Sequence, residues 1–192
     1  MELKPQILQH PHIPKPLHNI SPRTINGQIW WDKIRQKVYE KYDYHCLACG
    51  VAKEDAKKHK WLEAHEFWQI NYNTGICKVE TIEPLCHYCH NFIHSGRLAM
   101  ITGKEKSVEE VIEILEHGFK ILSENKLDCF LFTLGLGNKL QCNTHTVKPY
   151  SLNENLELKW TDYVLLYNNK EYRSKFKSFE DWKFFYKNKY KN

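Results

Sequence analysis

A chain of 192 residues has room for one full domain and a substantial extension, and 42% apolar residues with 14% aromatics can build a packed core. That composition excludes a wholly disordered chain, and no apolar run approaches the roughly 18 residues of a membrane-spanning helix. Five prolines in the first 22 residues speak against a secretory leader, so a soluble, cytoplasmic protein is expected.

The net charge is +5, unevenly placed. Residues 170–192 carry eight Lys and Arg against three acids, whereas the middle of the chain is slightly acidic. A basic end suits a polyanionic partner held from the flank, and equally a solvated helix face. Seven cysteines is an odd number and excludes a complete internal disulfide framework.

In chain order, residues 1–28 are rich in Pro, His and Asn and predict an extended arm or a loosely packed strap. Trp31, Ile34, Val38 and Tyr42 recur at helical steps and predict a helix from Trp30 to about Asp43. Residues 44–102 are dense in Cys and His and poor in aliphatic side chains, so a metal is needed to fold them. Within them, residues 61–65 predict a strand, Asn71 to Gly75 a turn, and Ile76 to Leu85 a returning strand. Cys89 to Leu98 predicts a short helix with Phe92, Ile93 and Leu98 inward. Ser107 with Glu110 is a capping-box pattern. It opens a helix whose apolar stripe is Val108, Val111, Ile112, Leu115 and Phe119, running into Ile121 and Leu122. Residues 129–147 alternate weakly and predict strand or loop. Residues 156–176 predict a hairpin turning at Asn168-Asn169, and Ser178 caps a last helix.

Two features carry chemistry. Cys46-Leu-Ala-Cys49-Gly50 and Cys86-His-Tyr-Cys89 are two CxxC pairs, a common four-thiolate set for structural zinc. Cys77, Cys129 and Cys142 are read as small buried hydrophobes. Between and beside the pairs stand His65, His90 and His94. The last two are four residues apart on a predicted helix, so both imidazoles can meet one metal. Three histidines leave positions open on an ion, as phosphodiester hydrolysis requires.

The pattern CxxCG, Glu-x-His, Leu-Cys-x-x-Cys-His and a last His before Gly-Arg resembles the HNH endonuclease family, in the branch whose ββα-metal finger is braced by a four-cysteine zinc site. The resemblance covers residues 44 to about 98. It implies an α+β fold: a treble-clef-like ββα-metal HNH finger with an N-terminal helix and a helical and hairpin C-terminal extension. The implied division is an arm over 1–29, a nuclease domain over 30–102 and an extension over 103–192. Cys46, Cys49, Cys86 and Cys89 would take structural Zn²⁺. His65, His90 and His94 would take one catalytic Mg²⁺, Mn²⁺, Ni²⁺ or Zn²⁺, and DNA would be the substrate. Arg97 is a candidate phosphate contact.

Two positions depart from the family pattern. Glu66 stands where a histidine usually activates water, and Thr81 where an asparagine braces that loop. A carboxylate can accept the proton, so Glu66 is the expected base, with His65 and His90 also in the catalytic set. His87, His59 and Glu63 are alternatives, and Glu63 can instead orient a ligand imidazole. The rival readings are a non-catalytic nucleic-acid-binding module and an interaction adaptor.

Overall fold

The computed structural model describes residues 1–10, 13–103, 105–127 and 158–189. The fold is α+β. Its four strands are β1 (Glu63–Ile70), β2 (Ile76–Leu85), β3 (Val164–Tyr167) and β4 (Lys170–Arg173), adjacent in that order. Its α-helices are α1 (Pro22–Asn26), α2 (Gln28–Lys41), α3 (His87–Ile93), α4 (Ser95–Ile101), α5 (Val108–Glu124) and α6 (Phe179–Lys189). No described helix is long and apolar enough to cross a membrane. The weakly alternating stretch 129–147, with Cys129 and Cys142, lies outside the described residues.

The chain divides into two compact units, each assembled from three separated stretches rather than from one run of sequence. The first takes the described residues of Met1–His10, Arg35–His65 and Ile82–Tyr150; the second takes those of Pro11–Ile34, Glu66–Thr81 and Ser151–Asn192.

In the first unit, α3 packs along α5, and a single helical turn at Pro5–Gln9 packs against both. Gly118 makes the approach of the two helices possible. A methyl group there would lie 2.1 Å from a ring carbon of Phe92, so only a bare Cα admits the phenyl ring. The Ser107 hydroxyl accepts from the Glu110 N–H at 3.1 Å and starts α5 where the capping pattern places it. The predicted stripe is rotated, however. Val108 and Ile112 are exposed, and Ile114 is buried with Val111 and Leu115. The expected single helix at Cys89 to Leu98 is two helices that meet at His94, whose ψ of 37° leaves the helical region. A Ser-Gly pair follows directly, a usual place for such a break. Phe92, Ile93 and Leu98 are buried as expected.

In the second unit, β2 pairs in parallel with β3, Cys77 opposite Leu165, and β3 pairs antiparallel with β4. Asn168 and Asn169 make the β3–β4 turn with positive φ. The expected alternation through Trp160 gives way to a helical turn, because the Asp162 carboxylate accepts the Lys159 N–H at 2.8 Å. Leu17, Trp68, Cys77 and Leu165 form the buried centre. Gly75 lies so near the Asp162 carbonyl that a Cβ would fall 2.8 Å from its oxygen, and its φ of 73° also favours glycine. The N-terminal stretch is not an extended arm: it holds short helical turns and α1, with Leu8, Leu17 and Pro22 buried.

Candidate metal centres

The first centre forms where the turn after α2 meets the end of β2. Gly50 N–H donates to the Cys46 carbonyl at 2.8 Å and Cys46 N–H to Val51 at 2.9 Å, which folds the first CxxC pair into a tight knuckle. Leu47 N–H donates to the Pro84 carbonyl at 2.9 Å and fixes that knuckle beside Cys86. Cys86 caps α3, and Cys89 follows in its first turn. The four Sγ atoms lie within 4.8 Å of one another. Cys49 and Cys86 sulfurs are 3.8 Å apart, far longer than a disulfide of about 2.05 Å. With Zn–S bonds of about 2.3 Å, a tetrahedral site has sulfurs about 3.8 Å apart, so this donor set fits zinc.

Protonation in this cluster is shared unequally. Burial alone would raise Cys46, but hydrogen bonds from Cys49, Cys86 and Cys89 hold it well below the usual thiol range. Cys86 is raised by its hydrogen bonds to Cys46 and Cys49, and Cys89 by burial and then by its sulfur neighbours. Four thiolates packed this closely need a cation to coexist. One further group touches the set: His117 Nε2 on α5 lies 3.4 Å from the Cys89 sulfur.

The second centre uses β1, α3 and the α3–α4 junction. Tyr39 of α2 is hydrogen-bonded to the Ala64 backbone, which steadies the start of β1. His65, His90 and His94 each offer a ring nitrogen, all within 4.8 Å of one another. Their ring centroids are 5.2, 4.8 and 4.6 Å apart, and the rings meet edge to face. Imidazoles so disposed converge on one point instead of stacking. His65 is 3% exposed; burial first, then repulsion from His90, His94 and His10, pushes it well below the ordinary histidine range. It is therefore neutral at pH 7, the form in which an imidazole can bind a metal.

Glu63 shares the His65 face of β1, since alternate residues of a strand point the same way. Its carboxylate meets His87 Nδ1 at 2.7 Å and His90 Nδ1 at 2.5 Å. With Nδ1 so engaged, Nε2 is the ring nitrogen that His90 could offer a metal, the usual arrangement of a carboxylate behind a ligand histidine. Burial would raise Glu63, but hydrogen bonds from His87 and His90 win and keep it ionised well below the usual carboxylate range. His87, almost buried, also faces Lys106 Nζ at 2.9 Å, and Lys106 pairs with Glu110. Asn91 Nδ2 donates to the His87 carbonyl at 2.8 Å.

Of the remaining candidates, Glu66 is half-buried on β1 directly after His65; a regular strand would send it to the opposite face, but the burial of both Phe67 and Trp68 departs from strict alternation. Thr81 is exposed on β2. Arg97, also exposed, lies 3.6 Å from Glu105. Lys106, Glu110, His117 and His10, whose ring is 5.5 Å from that of His65, carried no site signal in the sequence and are brought in by tertiary packing, whereas Asn91 reaches His87 within one turn of α3. Comparison with models of protein families, with curated proteins and with solved structures finds no match.

Proposed function

We propose that the protein is a metal-dependent endonuclease of the HNH class, hydrolysing phosphodiester bonds in DNA. One observation carries this reading: three imidazoles converge beside a four-thiolate cluster, with adjacent residues Cys89 and His90 of α3 serving one centre each. The order β1, β2, α3 supports assignment to the ββα-metal finger.

In this reading Cys46, Cys49, Cys86 and Cys89 hold zinc for folding only, because four thiolates leave no open position. His65, His90 and His94 hold the second divalent ion, which when bound stabilises charge on phosphate oxygens. Glu63 fixes the ring of His90 and supplies a negative charge behind the ligands. Glu66 is the proposed base by its place directly after the first ligand. Strict strand alternation at Glu66 would set it opposite His65, the arrangement expected of a non-catalytic binding module.

Plasmid incubated with zinc-loaded protein and added Mg²⁺, Mn²⁺, Ni²⁺ or Zn²⁺ provides the test. Nicking is expected with at least one ion. His65→Ala should slow it on the order of a thousandfold, the several kcal/mol that a Lewis acid supplies. Glu66→Ala should lose turnover while still binding the second ion; full activity would remove Glu66 from the mechanism. Cleavage that survives both substitutions overturns the assignment. DNA binding without cleavage favours the binding module.

A further inference from the structure

The segment entering β1 reads Lys57-Lys58-His59-Lys60-Trp61, three cations and two aromatic rings in five residues. It leads directly to Glu63 and His65. Its two rings are stacked, with planes 8° apart and centroids at 4.0 Å. His59 also meets the ring of His87 edge-on, with centroids at 4.5 Å. His87 is bonded to the carboxylate that holds His90. A continuous line of contacts thus runs from the indole to the candidate ligands.

The segment is anchored: Lys58 pairs with Glu110 at 3.1 Å, and Lys57 lies over the Tyr88 ring. Yet Trp61 keeps 52% of its surface exposed. Covering His59 requires only one face of the indole. The remaining ring surface, flanked by cations, matches the composition of surfaces that grip single strands.

We propose that this segment is a subsite for an unpaired nucleobase, with Trp61 as the stacking platform and Lys57 and Lys60 beside the flanking phosphates. The proposal rests on the nuclease reading, which brings a strand to this face, and it narrows the substrate to single-stranded or frayed DNA. Every base offers a π-face for stacking, but a base inside a duplex presents only its edges to a groove. The lysines add a sequence-independent, salt-dependent attraction.

The test is a fluorescence titration of the full-length, zinc-loaded protein, with no second divalent ion added. The probes are an oligothymidylate of about a dozen nucleotides, enough for one binding site, and a blunt duplex of equal length. Indole emission should be quenched by the single strand, and much of that quench should vanish in Trp61→Phe. Trp61→Ala should weaken single-strand binding on the order of ten- to a hundredfold and leave duplex binding nearly unchanged. Unchanged single-strand affinity, or equal losses on both probes, overturns the proposal. Zinc content and circular dichroism check the fold of each variant. Should Trp61→Ala fail to fold, the quench difference between wild type and Trp61→Phe decides: its presence supports the platform and its absence overturns it. Trp61-dependent binding without cleavage under any ion sinks the nuclease reading and keeps the platform. Cleavage with no Trp61 effect does the reverse.

Discussion

The first compact unit holds two ligand clusters built on opposite terms. The four sulfurs come from a backbone knuckle and the start of α3; three of them are buried, and together they would fill a tetrahedral ion. The three imidazoles come from a strand and two helix positions. His65 is buried, but His90 and His94 are only half-buried, and three donors leave an ion with open positions. Backbone hydrogen bonds shape the first cluster, whereas a single carboxylate, Glu63, orients His90 in the second. A closed site contributes folding energy, and an open one can exchange its ion and meet a ligand.

The largest expected effect separates the clusters most sharply. Removing zinc with a chelator, or Cys89→Ala, should unfold the first unit, since such sites contribute about 10–16 kcal/mol in small zinc modules. Circular dichroism and metal analysis by mass spectrometry check this. A metal-free protein with an unchanged melt would break the comparison.

Glu63→Gln should act on the imidazole side alone. Loss of the charge behind His90 is expected to weaken the second ion about 10- to 100-fold by calorimetry, with zinc content unchanged. Equal loss of both metals would mean that the clusters are not separable.

The smallest effect is expected from Gly118→Ala. The new methyl collides with Phe92, which costs about 1–3 kcal/mol, offset by up to about 1 kcal/mol of helix propensity. The melting temperature of the zinc-loaded protein should fall. Phe92 lies between His90 and His94 in sequence, so the second ion should weaken more than zinc does.

Local signals were legible where local chemistry decides the backbone. Ile76 to Leu85 is a strand over the predicted range, Ser107 caps α5, and Asn168-Asn169 turns with positive φ. Both clusters were legible because spacing in sequence limits where a CxxC pair or an i, i+4 histidine pair can point. The rest depends on contacts far apart in the chain. The buried face of α5 follows Phe92 and Gly118, so Val108 and Ile112 turn outward despite their apolar character. No periodicity announces that β2 pairs with β3 across more than 80 residues. Nor does any motif place His117 beside Cys89 or Lys106 beside His87, since a lone Lys or His has no phase to read. Glu63 was legible as an orienting residue, and its contacts with His87 and His90 are those of one.

The turn at Pro5–Gln9 has a practical consequence for anyone who would excise the metal-site stretch. It docks on α3 and α5, elements that begin some 80 and 100 residues further along. A fragment trimmed to residues 30–102 would keep all seven candidate ligands and α4, but would lose two of the elements packed on α3, the Pro5–Gln9 turn and α5. Part of the packing around α3 is thus supplied from before and after the candidate ligands in the chain.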